Sequence, residues 1–318
     1  MNRKMDKTGF IAYLESKDIT AITIACYVKY IELFFERVKK EDVQITKPDI
    51  LKHLEYLKNS RQVQNNTRQH HLSALNHYFT LLLRNEQIAE NPCFLLKIRG
   101  VKRKTLYNIY TLEQLEELFD NYYQLFVRNY DDSRIFEHQR QQVNLKMNRN
   151  ALILSVLINQ GITASEFENI EIDDVDLIKA TIKIRGTRQS NGRTLPLKAT
   201  QIGLFIQYLQ NIRSEFLEYQ KIETNKLFLP LPKGNQRKTD NDRLLSTFNK
   251  LIEQVKTIDK QFVNFKQVRA SLITSWIKTH GLRKAQYMAG HRYISSTENY
   301  LPNNIDDLID DIKKLHPF

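Results

Sequence analysis

MAGHRYISSTENY, residues 288–300, is the most informative stretch of this 318-residue sequence. It contains a Gly-His pair, then a turn rich in serine and threonine, and then Tyr300, nine residues after His291. Upstream, Val268-Arg269 opens a segment whose apolar residues recur at helical spacing. This pattern predicts a helix with one apolar side that carries Arg269 near its start.

Further upstream, the sequence changes from helical periodicity to alternation. Residues 180–185 and 193–197 are two runs that contain β-branched residues, and the polar residues between them are bounded by Gly186 and Gly192. Two such runs around a short polar turn are typical of a β-hairpin. We therefore expect one small sheet in this half of the chain.

Helices are predicted on both sides of this hairpin. Residues 151–160 form a nearly continuous apolar run that ends at Gly161, which is typical of a buried helix with glycine at its C-terminal cap. The helical period returns over residues 201–212 and again over 244–255. The second half of the chain is therefore predicted to be mainly helical.

The domain boundary is marked by a helix start. Residues 111–114 read TLEQ, a capping box, whereas residues 10–96 show four apolar stripes at helical spacing. A chain of this length suits two domains, each with its own core. We expect a helical bundle over 1–100, a basic linker over 101–107 and a second domain over 108–318.

The formal net charge of +12 points to a polyanionic partner. Residues 1–104 carry 19 Lys and Arg against 11 Asp and Glu, so the N-terminal third is the more basic part. Five of these cations fall within residues 97–104. That stretch is either a solvated loop or a contact for DNA phosphates, and we favour the phosphate contact.

Several kinds of protein and site are not supported. No apolar run approaches the roughly 18 residues that span a bilayer, and the N-terminus lacks the apolar core of a signal peptide, which predicts a cytoplasmic protein without a membrane partner. Cys26 and Cys93 stand far apart, so we expect two small core residues and neither a disulfide nor a zinc site. His70, His71 and His77 are predicted to face solvent or DNA.

The stretch 288–300 resembles the signature of the tyrosine recombinase (phage integrase) family, in which a Gly-His pair precedes a tyrosine at this spacing. Residues 10–96 resemble the family's helical core-binding (SAM-like) domain, residues 161–166 its Gly-x-Arg-x-Ser-Glu segment, and residues 180–197 its β-hairpin. The resemblance implies a mainly α fold with a small β-hairpin or sheet. A helical core-binding domain and an α+β catalytic domain would close on duplex DNA.

The resemblance also implies a reaction. Tyr300 would cut a DNA strand and form a 3′-phosphotyrosine link, Arg269 would hold the phosphate, and His291 would hydrogen-bond to it. A tyrosine phenol, with a pKa of about 10, is a weak nucleophile at neutral pH, so its attack needs a proton acceptor. The pentavalent state carries negative charge, so it needs cations against its oxygens. No metal, nucleotide or other cofactor is implied, and no small-molecule substrate.

Two charged positions of the family pattern differ, one in residues 161–166 and one just before Arg269. Thr163 occupies the place of the first clamp arginine and offers a hydroxyl without charge. Lys266 stands where the family has a histidine, three residues before Arg269. At this spacing both cations share one helix face.

The hairpin turn departs from the family as well. It is one residue longer than usual, and the expected general-acid lysine falls at Thr187 or Arg188. An arginine transfers a proton poorly, so Lys183 and Lys198 are further candidates. We expect Lys266 and Arg188 to supply part of the missing positive charge.

Two functions are compatible with this divergent site. The first is site-specific recombination, such as integration, excision or inversion of a mobile element, by a synaptic tetramer on double-stranded DNA. The second is a relative that lost its chemistry at Thr163 and binds DNA as an accessory or architectural protein. The amphipathic segment 305–315 is predicted to form a helix that packs either on its own domain or on a neighbouring protomer.

Overall fold

The chain divides into two units, Met1–Thr105 and Leu106–Phe318. The computed structural model describes residues 6–101, 107–131, 133, 136–220, 223–230 and 240–301. Most of the predicted linker, residues 102–106, lies outside the described residues, as does the whole predicted C-terminal helix, residues 305–315.

Four helices form the N-terminal unit, as the periodicity predicts: α1 (Lys7–Glu15), α2 (Ala21–Val38), α3 (Lys47–Asn59) and α4 (Asn65–Arg84). Helix α3 begins at Lys47 because Thr46 and Asp49 form a capping box and Pro48 occupies the first turn. Each helix buries one face in a common core, which includes Phe10, Ile31, Phe34, Ile50, Leu75 and Phe79.

Two predictions for this unit are wrong. Cys26 is exposed on α2, whereas Cys93 is buried as expected. His71 is buried, and its ring stacks on that of Tyr30 with the centroids 3.9 Å apart, because the buried face of α4 is wider than its apolar stripe. Burial lowers the pKa of His71 and of the neighbouring His53 to about 4, so both imidazoles are neutral near pH 7.

The C-terminal unit is mainly helical. Its helices are α5 (Leu112–Tyr123), α6 (Glu137–Gln160), α7 (Ala164–Phe167), α8 (Ala199–Gln207), α9 (Arg213–Gln220), α10 (Asp240–Ile258), α11 (Phe265–Ala289) and α12 (Ile294–Glu298). The predicted limits of two helices are confirmed. Thr111 and Gln114 form the capping box that starts α5, and α6 ends at Gly161 with a left-handed φ of 54°.

A three-stranded antiparallel sheet in the order β1-β2-β3 completes this unit. Strands β2 (Thr181–Ile184) and β3 (Arg193–Pro196) are the predicted hairpin, and β1 (Val175–Asp176) is a short additional strand. Ile182 pairs with Leu195 and Ile184 with Arg193, and all four residues are buried. Since alternate residues of a strand share a face, Arg193 points into the core with Leu195.

The end of α6 and the first half of α11 lie close together. A Cβ at Gly161 would contact Leu272 and Trp276 of α11 at 3.0 and 3.2 Å, so glycine permits this approach. The prediction of a mainly α fold with a small sheet is confirmed. None of the described helices is long and apolar enough to cross a membrane.

Candidate active site

Arg269 lies in the second turn of α11 and ties two helix ends together. Asn264 caps α11 by accepting hydrogen bonds from two backbone N–H groups of its first turn. The Arg269 guanidinium donates to the carbonyl of Gly161, at the end of α6, and to that of Ala289, at the end of α11, the latter at 2.7 Å. Such terminal carbonyls lack partners within their helices and attract cations, which explains why Arg269 is held here.

His291 directly follows Gly290, the left-handed residue with a φ of 70° that ends α11. Its Nε2 lies 3.3 Å from Arg269 Nη2, and its Nδ1 lies 2.9 Å from Thr297 Oγ1. Because arginine has no acceptor, Nε2 accepts and the imidazole proton resides on Nδ1. Burial and the charges of Arg269 and Arg193 lower the pKa of His291 to about 4, so the ring is neutral near pH 7.

Tyr300 lies just beyond α12, with its ring against that of His291. Its backbone N–H donates to the Thr297 carbonyl at 2.9 Å. Its ring is nearly parallel to that of His291, with 15° between the planes and 5.8 Å between the centroids. Burial lowers the pKa of Arg269, whereas the charge of Glu166 and the charge and hydrogen bond of Tyr300 raise it. The structure therefore brings Tyr300, Arg269 and His291 together.

A buried ion pair next to this cluster was missed by the sequence analysis. Arg193 Nη1 donates to Glu166 Oε1 at 2.5 Å, and both side chains are wholly buried. The alternation of apolar and polar residues in β3 could have indicated that Arg193 is buried. Arg193 stands two residues before Leu195, and alternate residues of a strand share a face. Its partner lies 27 residues away in sequence, so the pairing itself follows only from the fold.

Thr163, at the place of the family's first clamp arginine, caps α7. Glu166 Oε2 accepts hydrogen bonds from the Thr163 N–H and hydroxyl at 2.8 and 2.9 Å, and it lies 4.0 Å from Arg269 Nη1. Burial raises the pKa of Glu166, but the hydrogen bond and charge of Arg193, the Thr163 N–H and the charge of Arg269 lower it to about 2. Glu166 is therefore ionised between two guanidinium groups.

The structure does not bring the other predicted cations into this cluster. Lys266 is exposed in the first turn of α11 and Arg188 is exposed in the β2–β3 turn; neither side chain has a hydrogen bond or ion pair within the described part of the chain. Lys198 is ion-paired with Glu116, and Lys183 is exposed on β2. Of the predicted cations, Arg269 is the one that lies in the cluster with His291 and Tyr300.

The β2–β3 turn is nevertheless attached to the segment that carries His291. The Asn191 N–H donates to the Gly290 carbonyl at 2.8 Å, and Ser190 forms an antiparallel bridge with His291. Arg292 Nη2 donates to the Thr187 carbonyl at 2.9 Å. These contacts hold the hairpin turn beside the cluster.

The side chains that meet here suit a phosphate ester. A phenol can act as a nucleophile and a guanidinium can hold two phosphate oxygens. Among the residues that the structure describes, no three His, Cys, Asp or Glu side chains are arranged to hold a metal ion.

Two family models match the chain. The model of the phage integrase N-terminal SAM-like domain matches residues 8–89, and that of the phage integrase family matches residues 129–306, which is more than half of the chain. The chain belongs to the phage integrase family. The resemblance of residues 10–96 and 288–300 to tyrosine recombinases is therefore confirmed.

Individual relatives agree with this assignment. The tyrosine recombinase XerC of Anoxybacillus flavithermus is 27% identical over 297 residues, which cover 92% of this chain and 90% of the relative. XerC of Oceanobacillus iheyensis is 24% identical over 314 residues, covering 97% and 94%. Among solved structures, the XerH site-specific recombinase bound to palindromic difH substrate has a TM-score of 0.65 at 17% identity, covering 92% and 78%, which supports the fold.

Proposed function

We propose that this protein is a site-specific DNA recombinase that cuts and rejoins strands through a covalent link to Tyr300. The observation that carries the proposal is the cluster in which the Tyr300 ring stacks on that of His291, whose Nε2 lies 3.3 Å from Arg269 Nη2. Membership of the phage integrase family supports the same reaction.

In the proposed reaction, the Tyr300 phenolic oxygen forms a bond to the scissile phosphorus as the bond from phosphorus to the DNA 5′-oxygen breaks. The phenol gives up its proton and the leaving oxygen takes one up, so no net proton is consumed. Arg269 stabilises the negative charge on the non-bridging oxygens. A free 5′-hydroxyl later attacks the phosphotyrosine in the reverse sense, which rejoins a strand without a cofactor.

Lys266 and Arg188 are proposed to contribute positive charge from the DNA side. Both are exposed and therefore available to phosphates of a bound duplex, where cations release counterions and add affinity. If Lys266 compensates for the neutral Thr163, covalent adducts should fall sharply in Lys266→Ala. An unchanged adduct yield would end this idea.

The partner is proposed to be double-stranded DNA, bound by both domains and by the basic linker over 101–107, in the cytoplasm. The proposed domains are those expected from the sequence, 1–100 and 108–318. Strand exchange pairs two duplexes, so a synaptic tetramer is the proposed assembly. A mobile element is the proposed source of the DNA.

The test is a covalent trapping assay on nicked suicide duplexes that cover the DNA on either side of the gene. We expect a protein–DNA adduct that survives denaturing electrophoresis and disappears in Tyr300→Phe. Tyr293→Phe is the matched control, because Tyr293 is 72% exposed and lies on the same short segment, and it should keep the adduct. Tight DNA binding without any adduct would instead favour the accessory DNA-binding protein.

A further inference from the structure

We propose that Arg193 is a positioning residue of the active site, which holds the Glu166 carboxylate away from a closer ion pair with Arg269, so that the remaining N–H groups of Arg269 can bind phosphate. This inference rests on the proposed function, because it concerns the same reaction. Arg193 has no exposed side-chain surface, so it acts through Glu166 and Arg269 rather than by touching DNA.

The first step is the geometry of the shared carboxylate. Arg193 donates to both Glu166 oxygens, with Nη1 at 2.5 Å from Oε1 and Nη2 at 3.4 Å from Oε2. The second oxygen is also the one that lies 4.0 Å from Arg269 Nη1. One carboxylate therefore stands between two guanidinium groups, and the closer group is the buried Arg193.

The second step concerns charge. In a buried site, opposite charges attract far more strongly than in water, and an unpaired buried charge is costly. Without Arg193, the cation nearest to Glu166 is Arg269. The carboxylate would then pair with Arg269, and an incoming phosphate would have to displace it. Arg193 prevents this competition, which matters more here because Thr163 adds no charge of its own.

The third step is the packing that keeps Arg193 in place. A Cβ at Gly290 would overlap the Arg193 guanidinium, so the backbone just before His291 presses against it. The hairpin that carries Arg193 is bonded to the same backbone through the Asn191 N–H and the Gly290 carbonyl. Arg193 is therefore fixed between Glu166 and the segment that bears His291.

Three variants of the full chain test the proposal by adduct formation. Arg193→Met should slow the covalent step by about 100-fold or more, a loss of the size found when one charge-stabilising donor is removed. The double variant Glu166→Gln/Arg193→Met should recover at least about 10-fold, because no carboxylate then competes for Arg269. Arg185→Met is the matched control: Arg185 lies just after β2 and pairs with Glu171 and Asp174, so its loss should leave the rate unchanged.

A purely structural role predicts the opposite for the double variant. If Arg193 served only to pack the hairpin, the double variant would be as slow as Arg193→Met, and that result would overturn the proposal. If Arg193→Met does not fold, the double variant decides alone, since it replaces both members of the buried ion pair by neutral side chains. Adduct formation within about 10-fold of the unmodified protein supports the proposal, and a loss of about 100-fold or more overturns it.

A second readout does not depend on cleavage. The pKa of His291, followed by NMR, should rise in Arg193→Met, because a neighbouring cation is lost while Glu166 remains. It should return towards the original value in the double variant, where both charges are gone, and should not change in Arg185→Met. An unchanged His291 titration in Arg193→Met would refute the electrostatic argument. Absence of adducts in the unmodified protein would instead count against the proposed function.

Discussion

Replacing Gly290 by alanine should disturb both the backbone and the buried ion pair beside it. Gly290 adopts a left-handed φ of 70° at the end of α11, a conformation that costs other residues about 1–2 kcal/mol. The new Cβ would also overlap the Arg193 guanidinium and lie 3.0 Å from the Asn191 carbonyl oxygen. Since Arg193 is wholly buried and bonded to Glu166, it has little room to move.

The two contributions set the expected magnitude. Overpacking of a buried site costs about 1–3 kcal/mol, which adds to the backbone strain to give a loss of about 2–5 kcal/mol in the free energy of unfolding. For a domain of about 200 residues, this corresponds to a fall in Tm of roughly 5–20 °C. Adduct formation should fall as well, because the same substitution pushes Arg193 away from Glu166.

Denaturant unfolding in two backgrounds separates these contributions. In Glu166→Gln/Arg193→Met the guanidinium is absent, so Gly290→Ala should cost only the backbone strain and the close contact with the Asn191 carbonyl oxygen, giving a coupling energy of at least about 1 kcal/mol. Gly281→Ala is the control, because Gly281 also has a positive φ, 76°, but its Cβ would meet nothing within 4 Å. Its cost should be equal in both backgrounds. Zero coupling for Gly290→Ala would refute the reasoning.

Three further predictions concern stability and binding. Thr163→Ala removes the cap of α7 and should lower the free energy of unfolding, measured with denaturant, by about 0.5–2 kcal/mol. Thr111→Ala removes the cap of α5 and should lower the free energy of unfolding by about as much, but adduct formation should stay intact. His53 and His71 are buried with pKa values of about 4, below the usual 6.5, so each favours folding above pH 6.5 and loses this contribution as the pH falls towards 4. At pH 5 the N-terminal unit should be less stable than at pH 7 by about 2 kcal/mol for each histidine. Thermal unfolding followed by circular dichroism at the two pH values measures this difference, and equal melting curves would contradict the burial of both histidines as neutral groups. Finally, DNA affinity by fluorescence anisotropy should fall with salt with a log–log slope of about −0.9 for each phosphate contacted; a flat response would rule out binding through phosphates.

Local patterns were enough to predict most elements. The capping box at Thr111, the glycine at 161 and the β-branched runs around residues 186–192 act over a few residues, so the sequence carries their signal directly. Strand β1 was missed because two residues show no periodicity. Cys26 and His71 were misplaced because a helix stripe predicts which face is apolar but not how far neighbouring helices cover its edges.

In the active site as well, local sequence patterns predicted some features and the tertiary structure decided others. From the sequence by itself, the resemblance to the tyrosine recombinase signature implied Tyr300, Arg269 and His291 as the candidate residues, because the motifs that carry the resemblance are local patterns. Only the tertiary structure decided that Thr163 serves as a cap, that Lys266 and Arg188 stay outside the cluster, and that Arg193 shares Glu166 with Arg269. These outcomes depend on which distant side chains compete for one buried carboxylate, and burial and electrostatic pairing are set by the assembled fold rather than by neighbours along the chain.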